Sequence, residues 1–325
     1  MATIEQPVGL DEQKLMDFVF KAVDEVGATL NAALVVMGDK LGLYRALAGA
    51  GPLTAAELAE RTQTTERYVR EWLNAQAAGG YVTYDPESGR YTLPPEQTVA
   101  LTDDSSPAYL PGFFQIALGS VLDSPRITET VRRGGGFGWH EHVHDVHEGC
   151  ERFFRPGYNA NLVAAWLPAL DGVVEKLERG ARVADLGCGH GASTILMAQA
   201  FPSSTFVGSD YHAGSIETAR VRAEEAGVGD RVRFEATPAA GDVGTGFDLV
   251  TMFDCLHDMG DPVGRVYYGF STLLCTPASL SQEVGLALGA QAGEARIREV
   301  VEQAGFTRFR RVAETPFNIV FEARP

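Results

Sequence analysis

Several classes of protein are excluded by what the sequence lacks. No run of about 20 uninterrupted apolar residues occurs in its 325 residues, so no membrane span is expected. The N-terminus has neither the basic start nor the apolar core of a signal peptide. The cysteines form no CxxC pair, and free thiols in a reducing compartment are the simplest interpretation; they are Cys150, Cys188, Cys255 and Cys275. These absences predict a cytoplasmic protein.

Basic residues are also scarce. The chain has 27 Lys and Arg against 43 Asp and Glu, a formal net charge of −16 at pH 7. Because binding to a polyanion needs clustered Lys and Arg, nucleic acid is not an expected partner. The hydrophobic fraction of 45% and the charged fraction of 22% are typical of a globular chain, and the length allows one large domain or two ordinary ones.

The most informative segment is the glycine-rich stretch Ala184–Gly191. It follows a short apolar run around Val183 and precedes a helix-like segment, Ala192–Ala200. A strand, a glycine-rich turn and a helix in this order form a nucleotide-binding crevice, because glycines let the backbone approach a ligand and the helix N-terminus adds a positive dipole end. Asp210, about twenty residues further on, ends a second apolar run and is placed to accept both hydroxyls of a ribose.

The spacing within this stretch distinguishes two kinds of nucleotide site. A nicotinamide site expects G-x-G-x-x-G, whereas this chain has Asp-x-Gly-x-Gly-x-Gly, with Asp185 two residues before Gly187. The pattern resembles motif I of the class I S-adenosylmethionine (SAM) methyltransferases. SAM has no pyrophosphate, so the acid can sit near the cationic methionine end of the ligand. A glycine-rich turn without a ligand is the alternative.

The N-terminal part is predicted to be helical and then winged-helical. Residues 11–50 read as helix, and their long apolar stretch indicates a partner surface, either a second subunit or the chain's own second domain. In residues 52–94, Thr54 begins a capping box, Thr64 or Thr65 caps a second helix, and a hairpin follows. DNA binding is one interpretation of this winged helix. The second helix disfavours it, because its acidic and basic residues nearly cancel; they are Glu66, Arg67, Arg70 and Glu71.

The connecting region, residues 105–160, contains a histidine-rich segment, His140–His147, with four of the seven histidines. Alternate histidines point to opposite faces of a strand and spread around a helix, so three would not converge on a metal ion. No metal site is therefore predicted; the lining of a polar cavity or a solvated surface is expected. An amphipathic helix is predicted from Asn161 to about Leu177.

From Arg182 onwards, predicted strands and helices alternate. The predicted strands are 182–186, 204–209, 231–236, 247–253, 307–313 and 316–323, and the predicted helices are 192–200, 215–226 and 294–304. Alternation of this kind predicts an α/β fold with a doubly wound, mostly parallel sheet, and the last two strands read as an antiparallel hairpin.

With these segments in order, the chain resembles the winged-helix class I SAM-dependent methyltransferases of actinobacterial, mycobacterial type, which are related to small-molecule O-methyltransferases. The resemblance covers nearly the full length. It implies a helical dimerisation and winged-helix domain over residues 1–103, a linker and helical lid over 104–160, and a Rossmann-like SAM-binding domain over 161–325. It also implies a homodimer, with the winged helix serving dimer formation and not DNA.

SAM as cofactor, and S-adenosylhomocysteine as product, follow from the resemblance. Asp185 and the first glycines match motif I, Asp210 matches the ribose-binding acid, and Tyr211 would lie against adenine. The residues implied to contact the cofactor are Asp185, Gly187, Cys188, Gly189, Asp210, Tyr211, Ala236, Thr237, Phe253, Asp254 and Tyr158.

The segment Leu256–Met259 resembles the Leu-His-Asp-Trp segment of the O-methyltransferases. By this resemblance His257 is the general base, a role that suits an imidazole, and Asp258 orients it. A purely structural His257 is the alternative. Aromatic residues with a few polar groups suit a phenolic or lipid-like acceptor, and ordinary core is their alternative role. The candidate pocket residues are Trp139, His140, His144, Phe154, Tyr267, Tyr268 and Cys275.

One departure from the family concerns the segment after His257. The family has a further helix and a fifth strand there, whereas Asp261–Gly264 runs directly into Arg265. A parallel crossover needs about 10–12 residues, so relative to the family about thirty residues are absent near 261–265. Either the protein is a truncated variant or a segment was dropped from the chain; we favour the second.

The resulting hypothesis is a SAM-dependent methyltransferase acting on a small, partly apolar acceptor, with O-methylation by way of His257 expected. The alternative hypothesis is a ligand-sensing winged-helix transcriptional regulator that keeps a SAM fold. The sequence leaves open the identity of the acceptor and the choice among O-, N-, S- and C-transfer.

Overall fold

The computed structural model divides the chain into two compact units, Met1–Thr102 and Asp103–Pro325. The residues that it describes are 9–237, 244–255, 269–282, 286–288, 292–315 and 318–325. Within those ranges, none of the helices combines the length and the apolar character needed to cross a bilayer. The finer boundaries predicted at residues 103 and 160 stay predictions.

The first unit contains five helices and a small hairpin among its described residues. They are α1 (Glu12–Lys40), α2 (Leu43–Leu47), α3 (Ala55–Thr62), α4 (Glu66–Ala78), β1 (Thr83–Asp85), β2 (Arg90–Thr92) and α5 (Pro95–Thr102).

Local hydrogen bonds explain why the winged-helix prediction holds. The Thr54 side chain accepts the N–H of Glu57 at 3.2 Å, and the Glu57 carboxylate accepts the N–H of Thr54 at 2.7 Å, which is the predicted capping box of α3. The indole of Trp72 on α4 donates to the carbonyl of Leu34 on α1 at 2.8 Å, so α4 packs on α1.

The second unit begins with two helices that pack unusually closely, α6 (Pro111–Arg133) and α7 (His144–Asn161). Glycines on both helices permit this approach. A Cβ built on Gly149 would lie 2.7 Å from the backbone nitrogen of Ile116, and one built on Gly112 would lie 2.7 Å from the backbone nitrogen of Phe153. The rings of Phe113 and Phe153 stack at 4.5 Å beside the crossing. The crossing therefore fixes the position of α7.

The helix predicted from Asn161 to about Leu177 is wrong. α7 instead ends at Asn161 and continues as a π-helical turn, Leu162–Trp166, and a separate helix α8 (Val173–Arg179) follows. Two residues account for the break. Pro168 has no N–H to continue a helical ladder, and Gly172 adopts φ 71, a left-handed conformation that ends a right-handed helix.

A four-stranded parallel sheet follows and confirms the predicted α/β architecture. Its strands are β3 (Arg182–Leu186), β4 (Thr205–Asp210), β5 (Val232–Ala236) and β6 (Leu249–Thr251), in the order β5-β4-β3-β6. Helix α9 (Ala192–Ala200) connects β3 to β4, and α10 (Ala213–Glu225) connects β4 to β5. Because the later strands lie on both sides of β3, the carboxyl ends of β3 and its neighbours border a crevice of the kind that binds ligands in open α/β sheets.

The C-terminal part contains a π-helical turn at Ser271–Cys275, α11 (Thr276–Leu280), α12 (Gly293–Gln303), β7 (Arg308–Glu314) and β8 (Ile319–Arg324). As predicted, β7 and β8 pair antiparallel, and they form a two-stranded sheet of their own. The chain gap predicted near 261–265 lies outside the described residues and stays a prediction.

We expect Gly149→Ala to destabilise the second unit. The added methyl group would press on the backbone of Ile116, which cannot rotate away, and overpacking of this kind costs about 1–3 kcal/mol. Urea unfolding followed by circular dichroism measures the loss. Gly157→Ala is the matched control, because Gly157 lies on the same helix with no atom within 4 Å of its built Cβ. An equal effect of the two substitutions would contradict the close approach.

Candidate functional site

The predicted glycine-rich turn lies at the carboxyl end of β3 and is fastened to β4. Gly187, Gly189 and Gly191 have φ values of 71, 52 and 79, a region that other residues rarely adopt. The N–H of Gly187 donates to the carbonyl of Ser209 at 2.8 Å. A Cβ on Gly191 would lie 2.6 Å from the ring of Phe234, whereas one on Gly189 would meet no atom within 4 Å. Gly191 therefore serves packing, and Gly189 borders open space.

Asp210 ends β4 beside this turn. Its carboxylate accepts the N–H of Gly189 at 3.0 Å and the N–H of His212 at 2.8 Å, one on each oxygen. The residue is 8% exposed, and burial raises its pKa, whereas the two backbone donors act in the opposite direction. Because each carboxylate oxygen can accept more than one hydrogen bond, Asp210 is held in place and still has capacity for a ligand's hydroxyls.

Asp185, the acid of the motif, is engaged inside the protein. Its carboxylate accepts the hydroxyls of Ser193 and Thr194 on α9, both at 2.6 Å, and the hydroxyl of Thr251 on β6 at 2.8 Å. It is 1% exposed, and burial raises its pKa. The predicted contact with a ligand's methionine end is therefore not through a free carboxylate; its negative charge still lies beneath the turn.

Asp254 follows β6 and brings together three distant parts of the unit. It has φ 53, a strained conformation for a residue with a side chain. The hydroxyl of Tyr158 on α7 donates to one oxygen at 2.5 Å, and the amide of Asn318, just before β8, donates to the other. Burial raises the pKa of Asp254 to about 6 and also raises that of Tyr158.

The three acids create a region of negative potential. Together with burial, which is the largest cause, Asp185, Asp254 and Asp210 raise the pKa of the Cys255 thiol to about 12. Over the described ranges, the hydrogen-bond donors to these carboxylates are hydroxyl, amide and backbone N–H groups, and no Lys or Arg pairs with them. Such a region favours a cationic ligand.

Aromatic rings surround Tyr158. Its ring centroid lies 5.6 Å from that of Phe253, 6.2 Å from that of Trp166 and 6.3 Å from that of Phe154. Trp166 and Phe253 stack at 6.2 Å. Tyr158 and Trp166 belong to the buried core beside the sheet, and the partly buried rings of Phe154 and Phe253 pack against it.

The histidine-rich segment is divided between interior and surface. His147 is buried, its Nε2 lies 2.9 Å from the carbonyl of Trp139, its ring lies 4.3 Å from that of His212, and burial lowers its pKa to about 4. His140 is exposed, 5.8 Å from the ring of Tyr211, and His144 is also exposed. The described ranges contain no group of three or more His, Cys, Asp or Glu residues that could hold a metal ion.

The remaining predicted residues are distributed as follows. Trp139 and Cys275 pack on a small cluster around Val146. The N–H of Thr237 donates to the carbonyl of Asp210 at 2.9 Å, which places the end of β5 beside the predicted ribose acid, with Ala236 exposed next to it. Cys188 is buried under the turn. Four predicted residues lie outside the described ranges: His257, Asp258, Tyr267 and Tyr268.

Sequence reasoning missed two residues of the site. Asn318 reaches Asp254 from 64 positions away, and Thr251 reaches Asp185 across two strands. Neither belongs to a local motif. The only available signal for Thr251 was a polar residue in an otherwise apolar strand.

Two family models match the chain. Residues 29–103 match an Rv2258c-like winged HTH domain, and residues 177–274 match a methyltransferase domain. The predicted winged helix and the predicted methyltransferase fold are thereby confirmed.

Individual relatives agree with this assignment. The ubiquinone biosynthesis O-methyltransferase of Chelativorans sp. (strain BNC1) is 35% identical over 82 residues, 25% of this chain and 32% of that enzyme. The matches span only 28–33% of the curated relatives' own lengths. Mitomycin 7-O-methyltransferase has TM-score 0.63 at 19% identity, over 97% of this chain and 100% of its own. Human N-acetylserotonin methyltransferase, solved with SAM, has TM-score 0.63 at 17% identity, over 98% of each chain.

Proposed function

Since this chain is a winged-helix methyltransferase, with an Rv2258c-like winged HTH domain and a methyltransferase domain, we propose that it transfers the methyl group of SAM to a hydroxyl of a small, partly apolar molecule. The observation that carries the proposal is the trio Asp185, Asp210 and Asp254 around Cys255, without a Lys or Arg partner in the described part of the chain. SAM brings a sulfonium and an ammonium group, which such a region would stabilise.

The residues of the crevice fit this cofactor. The spare acceptor capacity of Asp210 suits the two hydroxyls of a ribose, and the open space at Gly189 leaves room for the sugar. Tyr211 directly follows Asp210, and we propose that its ring lies against adenine. The human relative was solved with SAM, and S-adenosylhomocysteine would be the product here.

The acceptor side is proposed to be apolar with few polar groups. SAM supplies an activated methyl group, so the protein has to orient the acceptor, exclude water and accept the hydroxyl proton. The partly buried rings of Phe154 and Phe253 offer a surface for a phenolic or lipid-like molecule. We further propose His257 as general base, oriented by Asp258, on the strength of their sequence context alone.

The same structure disfavours a DNA-binding regulator. On α4, which would be the recognition helix, Arg67 pairs with Glu71 and Arg70 pairs with Glu66. These ion pairs neutralise the positive charge that would otherwise contact DNA phosphates. We therefore propose that the winged helix supports assembly, and that no nucleic acid is a partner.

Asp210→Ala is expected to weaken SAM binding by at least about tenfold, because charge-assisted hydrogen bonds to the ribose are worth about 1.5–3 kcal/mol. Isothermal titration calorimetry with SAM measures the change. Asp230→Ala is the control, since Asp230 is exposed and forms an ion pair with its neighbour Arg231. An unchanged affinity in Asp210→Ala would reject the assignment of the ribose site.

His257→Ala is expected to lower kcat by about 10²–10⁴-fold while SAM affinity is nearly kept, because only proton transfer is lost. Turnover is measured as S-adenosylhomocysteine release with a panel of phenols and naphthols. Retained activity would show that the acceptor is already nucleophilic or that proximity alone suffices.

We also propose a homodimer through residues 11–50. The helix α1 exposes apolar side chains, among them Phe18 and Phe20 at 66% and Leu30 at 65%. Exposure on this scale on one helix is typical of an interface.

Light scattering at micromolar concentration should therefore report twice the mass of one chain, and Phe20→Asp should shift the protein towards the monomer. Val221→Asp is the control, since Val221 is an exposed apolar residue on α10 of the other unit. A monomeric wild type would contradict the proposal.

A further inference from the structure

Among the residues that the structure describes, no Lys, Arg or His pairs with the carboxylate of Asp254. The two groups that hold its carboxylate, the Tyr158 hydroxyl and the Asn318 amide, are both neutral. An ionised carboxylate withdrawn from water is costly unless a cation compensates it. The left-handed backbone of Asp254, φ 53, adds a second local cost. The fold therefore maintains an unfavourable arrangement at this position, which points to a ligand that relieves it.

The position of Asp254 indicates which part of a ligand it faces. β4, β3 and β6 are adjacent parallel strands, and Asp210, Asp185 and Asp254 lie at or just after their carboxyl ends in that order. Neighbouring strands are about 4.8 Å apart, so the ends of β4 and β6 lie roughly 10 Å apart across the sheet. A nucleoside whose ribose is held at Asp210 would extend its 5′ substituent across β3 towards β6.

The other two acids are already committed. Asp185 is enclosed by three hydroxyls at 2.6–2.8 Å and is 1% exposed, so it has no open side for a ligand. Asp210 is fixed by backbone N–H groups at the ribose end. Asp254 is only partly buried. Its carboxylate accepts hydrogen bonds from Tyr158 of α7 and from Asn318, just before β8.

We infer that Asp254 is the counter-ion of the SAM sulfonium and that it makes the site prefer SAM over S-adenosylhomocysteine. The inference rests on the proposed function. The two molecules differ at sulfur, where the first has a methyl group and a positive charge and the second has neither. A carboxylate opposite the sulfur therefore attracts the substrate form and loses that attraction once the methyl group has been transferred, which favours product release.

The experiment compares the affinities for SAM and for S-adenosylhomocysteine by isothermal titration calorimetry. Asp254→Asn keeps the shape and removes the charge, so it should weaken SAM binding by about tenfold or more and leave S-adenosylhomocysteine binding within about twofold. Tyr158→Phe is the matched control, because it removes one hydrogen bond to the same carboxylate. Since that hydrogen bond lowers the pKa of Asp254, all three proteins are compared at pH 8, where the carboxylate of the control keeps its charge. Tyr158→Phe should leave the ratio of the two affinities nearly unchanged.

A pH series on the wild type gives a second readout. The pKa of Asp254 is about 6, so at lower pH its carboxyl is protonated and neutral. The preference for SAM should therefore be present above about pH 6 and decline as the pH falls through this value, and it should be flat in Asp254→Asn. The groups that face Asp254 are Tyr158 and Cys150 of α7, Cys255, Asn318 and, through Tyr158, Asp185. Asp185 is unchanged in Asp254→Asn, so a pH dependence caused by Asp185 would remain in that variant and can be told apart from that of Asp254.

Three outcomes would overturn one proposal or the other. Equal weakening of both ligands in Asp254→Asn would place the carboxylate at the ammonium, and the inference would fail. If Asp254→Asn changed neither affinity, the inference would also fail, whereas SAM binding, and so the proposed function, would stand. If the wild type bound neither molecule, the proposed function itself would fail. Should Asp254→Asn not fold, the pH series on the wild type still decides, because a ratio that is flat from pH 5 to 8 contradicts the counter-ion.

Discussion

The buried carboxylate of Asp185 holds the crevice together. It sits at the end of β3 and accepts hydroxyls from the first turn of α9 and from β6, so one side chain fixes a helix and two strands relative to each other. Removing the carboxylate would leave buried hydroxyls without acceptors, each costing about 1–3 kcal/mol. The glycine turn between β3 and α9 keeps its shape because both of its ends are fastened in this way. The aspartate of the motif therefore stabilises the crevice from below, and the open ligand positions lie at its neighbours.

The histidine and aromatic residues of α7 depend on a different constraint, the close crossing of α6 and α7. Small residues at the crossing let α7 lie deep enough for Tyr158 to reach Asp254 and for His147 to reach His212. Both contacts join α7 to loops that follow strands of the sheet. The helical region before the sheet is thus part of the crevice wall. Two of its inward-facing polar groups are neutral at pH 7, since burial lowers the pKa of His147 to about 4 and raises that of Tyr158.

The sequence predicted the elements whose causes are local. The capping box at Thr54, the hairpin of the wing and the alternation of strands and helices from Arg182 each leave a pattern within a few residues, and each was confirmed. The prediction of a helix from Asn161 to about Leu177 is wrong because Pro168 and Gly172 interrupt the segment. Their backbone preferences prevail over the helical spacing of its apolar residues. Burial of individual histidines was not predictable, since it depends on which distant element covers them.

The two sides of the crevice differ in how much their sequence reveals. The residues proposed to hold SAM, the methyl donor, lie within one stretch from Asp185 to His212. There a strand, a turn and a second strand place Gly189 against Asp210. A contiguous stretch preserves its spacing, so a motif records it. The other side joins Tyr158, Asp254 and Asn318 from α7, β6 and the C-terminal hairpin, separated by 96 and 64 positions. No spacing rule links residues this far apart, because their proximity is set by how the sheet orders its strands. The cofactor site of such a fold can therefore be predicted from a sequence motif, whereas the acceptor site has to be inferred from the side chains that the fold brings together.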